Sequence, residues 1–313
     1  MPAGDAFDRI GRAAFRSLIL SATKHPRVQA VAARHGLRAG ANRFVAGESP
    51  SDCRPVLERL HADGMRTYVI ALGEAVHTTE QAVIAARLYE SLVPEVTTWG
   101  RETTFSIKLT HLGLEHDPEL AFQNARRIVG LAAKHSAFVR LDMEHSAVVD
   151  KTLTIYRRLR ADGLDNTGVV LQAYLHRSVD DLISLLPLEP NVRVVKGAYL
   201  EPPDVALQRK SDVDAAYRQL VRTALTYARF TAVATHDVQA VRTAIAVAAE
   251  QESDFEFQML YGVRYDLARQ LVAAGHPMRI CVPFGEDWFV YFTRRLAERP
   301  ANSLFLLRNL MRR

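Results

Sequence analysis

The feature that most limits what this chain can fold into is a rhythm. From Arg66 onward, short β-branched and apolar runs alternate with longer amphipathic stretches. The runs are TYVIALGE, TTFSIKLT, AFVRLDMEH, GVVLQAYL, VRVVKGAY, FTAVATHD, FEFQML and MRICVPFG, eight in all. Between them lie helical patterns such as TTEQAVIAARLYESLV, DPELAFQNARRIVGLAAKH and DVDAAYRQLVRTALTYARF. Strands that alternate with helices imply βαβ units and a parallel sheet. Eight such units without a glycine-rich nucleotide fingerprint favour a closed (β/α)8 barrel over an open doubly wound sheet.

The chain before Arg66 reads as helical throughout, giving an N-terminal helical segment over 1–65 and a barrel over 66–313. Ser51 is the expected cap of a helix running to Asp63, with Gly64 as its stop signal. The opening stretch DAFDRIGRAAFRSLIL alternates Arg with apolar residues at helical spacing. Asp5 and Asp8 argue against a targeting peptide and favour an amphipathic helix packed on the domain. Cys53 and Cys281 are far apart and in no CxxC spacing, which argues against a disulfide framework or zinc ribbon and fits a reducing, cytoplasmic setting. No apolar run approaches the roughly 18 residues of a membrane span. The formal charge of +5 comes with scattered rather than clustered arginines, so no nucleic-acid partner is expected.

The strands share a chemical pattern. They tend to end in polar residues: Glu74, Lys108, Asp142 with Glu144, Gln172, Lys196, Thr235 with His236 and Asp237, and Gln258. In a barrel the C-terminal strand ends face the active site, so these groups converge on one mouth. VRVVKGAY reads as a buried strand, yet it carries Arg193 and Lys196 three residues apart. Burying a charge is costly unless it is paired. These cations either bind an anionic ligand or pair structurally with Asp142 or Glu144. Lys108 likewise interrupts an apolar strand, with Asp142 as its expected counter-ion. His111, His116, His145 and His236 lie in no HxH or HExxH spacing, so no metal is expected. In the last helix, EDWFVYFTRRLAE, Trp288, Tyr291, Phe292 and Arg295 share one side. Arg294 and Arg295 form either a bidentate clamp for a carboxylate or, with Glu298, a surface ion pair.

Taken together, RLDMEH, VRVVKGAY, ATHD, FEFQMLYG and RICVPFGEDWFVYFTRRLAERPAN resemble the proline dehydrogenase family in its short monofunctional bacterial form, from about Arg43 to Asn302. The resemblance implies a distorted (βα)8 barrel that binds FAD, with the last helix over the barrel mouth, and oxidation of L-proline to Δ1-pyrroline-5-carboxylate. It implies that Arg294 and Arg295 hold the substrate carboxylate with Lys108, and that Asp142 is the catalytic-site carboxylate paired with that lysine. It places Arg193 near flavin N5, and Lys196, Gly197 and Ala198 along the flavin phosphate and ribityl segment. Met143, Gln172, Thr235 and His236 become further FAD contacts. Tyr291 and Leu260 become pocket wall, and Glu298 orients the arginines.

The family context also implies a quinone-type electron acceptor, transient contact with the inner face of a membrane, and a downstream pyrroline-5-carboxylate (glutamate semialdehyde) dehydrogenase. One departure stands out: Cys281 occupies a position where the family commonly has Tyr beside the substrate ring. Either the pocket is looser, and more tolerant of hydroxyproline or another cyclic imino acid, or a neighbour such as Phe284 refills the space. Two other readings stay open: a metal-dependent barrel hydrolase using His111, Asp142, Glu144 and His236, and a non-catalytic sensor that retains a flavin.

Overall fold

The computed structural model describes residues 41–73, 75–100, 103–289 and 291. Helix α1 (Pro50–Ala62) precedes β1 (Arg66–Ala71). The chain then alternates: α2 (Thr79–Thr98), β2 (Thr103–Ile107), α3 (Pro118–Lys134), β3 (Val139–Leu141), α4 (Val149–Ala161), β4 (Thr167–Gln172) and α5 (Ser178–Leu185). It continues through β5 (Asn191–Val195), α6 (Lys210–Tyr227), β6 (Phe230–Ala234), α7 (Val238–Gln251), β7 (Phe255–Leu260), α8 (Tyr265–Ala273) and β8 (Met278–Phe284). The eight strands form a closed barrel in sequence order, and β8 pairs in parallel with β1. Each run expected to be a strand contains one.

Local chemistry starts the helices where the barrel needs them. Thr78 caps α2 by accepting from the Gln81 N–H, Asp117 caps α3 through the Glu119 and Leu120 N–H groups, and Asp237 caps α7 through that of Gln239. The cap of α1 is Ser49 rather than the expected Ser51. Pro50 takes the first helical position, and the N–H and hydroxyl of Ser49 both donate to Asp52 Oδ2, at 2.9 and 2.8 Å. The expected stop is in place: Asp63 closes α1 and Gly64 follows with φ of +76°. Residues 1–40, including the amphipathic opening stretch, lie outside the described residues, as does Glu74.

Strand alternation divides the barrel into two environments. One set of side chains packs outward against the helices: Val69, Val139, Val169, Val194 and Ile280 share a core with Leu92, Ile128, Leu159 and Tyr217. The inward set is unusual. Barrels of this kind are generally filled with branched apolar layers, whereas this interior buries Arg140, Arg193, Glu256 and Gln258, with Arg279 partly shielded beside them. Arg279 Nε donates to Glu256 Oε1 at 2.6 Å, and Gln258 Nε2 donates to the same oxygen at 2.7 Å.

Candidate active site

At the C-terminal mouth lies a cavity of about 630 Å³, within the range of ligand and cofactor sites. Its wall brings together Asp142, Met143, Gln172, Arg193, Lys196, Gly197, Ala198, Thr235, His236, Leu260, Cys281 and Tyr291, all expected at the site. Lys108 is not part of this wall; its ammonium donates to the carbonyl of Gly73 at 3.0 Å. Arg294, Arg295 and Glu298 lie outside the described residues.

Arg193 is the electrostatic centre of the floor. It is 6 % exposed. Its Nη1 donates to the Tyr68 hydroxyl at 3.0 Å and lies 3.2 Å from Asp142 Oδ1, while Nη2 donates to Ser106 Oγ at 2.7 Å. The guanidinium carbon sits 4.5 Å from the centre of the Tyr68 ring. Burial works against its charge, but Tyr68, Asp142 and other polar neighbours outweigh it and hold the group protonated. Burial also pushes the Tyr68 phenol well above its usual range, so it faces Arg193 as a neutral hydroxyl.

This geometry corrects one expectation. The ion pair of Asp142 is with Arg193, not with Lys108. β3 ends at Leu141, so Asp142 leaves the sheet at the level where Arg193 crosses the barrel interior.

Lys196 has a different environment from Arg193. Its ammonium meets Asp214 Oδ1 at 2.5 Å and Asp237 Oδ2 at 2.9 Å, and Lys210 also pairs with Asp214. Burial opposes the charge on Lys196, but the two carboxylates raise its pKa above the ordinary value. Two lysines and two aspartates make this corner neutral as a unit. Lys210, whose side chain is 84 % exposed, is the cation there most open to solvent.

Gly197 has a reason of its own. Its φ is +115°, and a Cβ there would lie 2.0 Å from Tyr174 Cδ1. The glycine is required by the turn out of β5 and by the Tyr174 ring, whatever else approaches it.

The remaining wall is pinned by hydrogen bonds. His236 Nε2 accepts from the Leu260 N–H at 3.1 Å, Gln172 Nε2 donates to the Glu144 carbonyl at 2.7 Å, and Thr235 Oγ1 accepts from the Asp237 N–H at 3.1 Å. Of the other possible metal ligands, His111 faces the Tyr89 hydroxyl at 3.3 Å and Glu144 accepts from the Thr110 N–H at 3.0 Å. Among the described residues, no cluster of His, Cys, Asp and Glu is arranged to hold a metal ion.

Cys281 packs with Tyr68, Ile70 and Leu260, and Tyr68 is its register partner on β1. Phe284 instead belongs to the core outside the barrel wall. The bulk beside Cys281 therefore comes from Tyr68 and not from Phe284. Tyr68 and Lys210 are site residues that sequence reasoning missed. Tyr68 had one signal, a phenol at an inward position of an otherwise apolar strand. Lys210 had none, because it approaches from the start of α6.

Several buried polar atoms here have no hydrogen-bond partner among the described residues: Asp142 Oδ1, Arg193 Nε and Gln258 Oε1. Buried groups of this kind are normally satisfied. They suit a ligand whose edge carries both donors and acceptors.

A closed (β/α)8 barrel with a charged, ligand-sized cavity at its C-terminal mouth defines an enzyme of the barrel class. The sequence matches the family profile described as proline dehydrogenase over residues 53–308. It is 39% identical over 305 residues to a proline dehydrogenase of Deinococcus radiodurans, covering 95% of this chain and 98% of that protein. It is 35% identical over 301 residues to proline dehydrogenase 1 of Bacillus subtilis, covering 95% and 99%. Among solved structures it is similar to proline utilization A of Bdellovibrio bacteriovorus, inactivated by N-propargylglycine, with a TM-score of 0.77 and 26% identity. That alignment covers 85% of this chain and 33% of the other, so the chain spans about a third of its length. The chain belongs to the proline dehydrogenase family.

Proposed function

We propose that this chain oxidises L-proline to Δ1-pyrroline-5-carboxylate with FAD seated in the barrel mouth. The observation that carries the reading is Arg193, a buried guanidinium on the cavity floor with Nε unsatisfied, fixed from three sides by Tyr68, Ser106 and Asp142. The orphaned atoms of Asp142, Arg193 and Gln258 fit the polar edge of a flavin ring. The flavin supplies the hydride acceptor. The residues supply position and field: a fixed cation on the floor favours an acceptor ring that gains negative charge, and no reorganisation is needed when the charge appears. Asp142 acts by holding that cation in place. Met143, Gln172, Ala198, Thr235 and His236 line the remaining cofactor wall.

The neutral cluster at Lys196 modifies the phosphate role that the resemblance implies. Lys196 reaches a phosphate only by sharing itself with Asp214 and Asp237, and Lys210 is the better placed cation. On the substrate side, Leu260, Tyr291 and Cys281 form wall, and Arg294 and Arg295, oriented by Glu298, take the carboxylate, with Lys108 assisting from the end of β2. A planar two-arginine fork fixes the ring by bidentate bonds, an effect of orientation. Electrons leave to a quinone-type acceptor during transient contact with the inner membrane face, and the cytoplasmic product passes to a separate pyrroline-5-carboxylate dehydrogenase. No helix among the described residues is long and apolar enough to cross a membrane.

The test is the visible spectrum of the purified protein, without oxygen, before and after L-proline. A flavin band that bleaches is the expected result. A flavin band indifferent to proline removes the substrate, and a protein that stays colourless after incubation with FAD removes the cofactor. N-propargylglycine should inactivate the flavin-loaded enzyme in a time-dependent way, and Arg294→Ala should raise KM for proline by the loss of about 1–3 kcal/mol of charge-assisted bonding.

A further inference from the structure

Beneath the active-site floor lies a second, smaller cavity of about 190 Å³. Tyr68, Arg193 and Gln258 line both spaces and form the partition between them. The lower cavity is also lined by Arg66, Arg140, Arg279 and Glu256. Four guanidiniums therefore face one carboxylate.

The pairing within this group is uneven. Glu256 serves two of the arginines: Oε1 accepts from Arg279, and Oε2 lies 3.7 Å from Arg66 Nη1. Arg193 has Asp142. Arg140 is 5 % exposed and forms no ion pair within 4 Å among the described residues. Its Nη1 donates to the carbonyls of Asn191 at 3.0 Å and Val169 at 3.4 Å, its Nη2 donates to Asn191 Oδ1 at 2.6 Å, and its guanidinium carbon sits 5.0 Å from the Phe138 ring centre. Amide oxygens satisfy its donors, and the carboxylate that acts on its charge, Glu256, is already shared by Arg279 and Arg66. A buried charge without a counter-ion of its own is unfavourable. Burial, with Arg193 and Arg279 nearby, outweighs Glu256 and draws the Arg140 pKa down to about 9. Arg193 borders the lower cavity as well as the mouth, so its charge adds to that of Arg140 there.

We propose that the lower cavity is a binding site for a small monovalent anion of the halide class, held by Arg140 and Arg193. Its size suits one hydrated halide, since a water occupies about 30 Å³. Arg66, whose side chain is 40 % exposed, marks the way in from the N-terminal end of the barrel. The bound ion compensates Arg140 and stiffens the partition on which Arg193 is presented. Arg140, which lines the lower cavity and not the mouth, sets the two sites apart.

The test compares thermal unfolding in sodium chloride and in sodium gluconate at equal ionic strength, so that screening is constant and only an ion small enough to enter differs. Chloride should raise the midpoint by about 2–4 °C, saturating with concentration. Arg140→Met should abolish the difference between the salts. Crystals of the unaltered protein grown with sodium bromide should show an anomalous peak beside Arg140 and Arg193, a result that does not depend on the variant folding. Equal midpoints in the two salts, a chloride effect that survives in Arg140→Met, or a bromide crystal without that peak would each overturn the proposal.

Discussion

The Tyr68 hydroxyl on β1 accepts a hydrogen bond of 3.0 Å from Arg193 Nη1 on β5, the opposite side of the barrel. With Ser106 on β2 and Asp142 after β3, this bond fixes one guanidinium from three further strands. A charge in the middle of a barrel can be held so only if polar groups converge on it from several directions.

Tyr68→Phe removes the acceptor and leaves a buried, charged donor short of a partner. The expected loss is about 1–3 kcal/mol of folding stability, read from urea denaturation. The rate of anaerobic flavin bleaching by proline should fall as well, because Arg193 is no longer fixed. An unchanged denaturation midpoint would show that the bond contributes nothing.

Cys281→Tyr places a second phenol against Tyr68, its register partner. Both side chains stand on the cavity wall, and overpacking against Tyr68 costs about 1–3 kcal/mol, so this variant should be less stable despite carrying the tyrosine that the family resemblance implies. Tyr68→Ala in the same chain should restore part of the loss, giving strong non-additivity in a double-mutant cycle. If Cys281→Tyr is stable by itself and sharpens preference for proline over hydroxyproline, the room beside Cys281 is open and Tyr68 does not fill it.

Lys196→Met leaves Asp214 and Asp237 without their shared cation. The cluster is partly exposed, so the expected loss near neutral pH is about 1–2 kcal/mol. Burial pushes both carboxyls up, but hydrogen bonds to the cation outweigh it and hold them below their ordinary 3.8. Their contribution is therefore present above that value and lost as pH falls through the lower folded one. The raised Lys196 contributes below its ordinary 10.5 and fades as pH rises past it. The difference between parent and variant should thus be widest between about pH 4 and 10 and close below pH 4. A difference that does not change with pH would show that packing, not charge, carries the effect.

His111 sets a second pH window. Burial, and to a lesser degree Lys108, draws its pKa from 6.5 to about 4. The unfolded chain then binds the proton more readily than the folded one, so stability falls as the medium is taken from pH 6.5 towards 4. The drop over that interval is on the order of 2–3 kcal/mol. His111→Asn should flatten the slope in denaturation curves recorded across the window. If the slope persists, another group carries it.

The barrel was legible in the sequence because strand alternation and helix periodicity are local properties, written in side chains a few residues apart. The eight runs, the polar strand ends and the convergence of Asp142, Gln172, Arg193, Lys196 and His236 on one mouth all followed from that periodicity and the known handedness of such folds. Partner choice was not local. Nothing along the chain told Arg193 to take Asp142 and Tyr68, or Lys196 to take Asp214 and Asp237. Asp214 lies within α6 and Tyr68 is 125 positions from Arg193. Closure of the barrel decides which strand faces which, and register decides which side chains share a level. Those two facts placed Tyr68 beside Cys281 and gathered four arginines around one glutamate. The sequence by itself determined the architecture and the identity of the polar groups. Only the tertiary structure decided how their charges are shared, because Coulomb and hydrogen-bond energies depend on distances that the folded barrel alone sets.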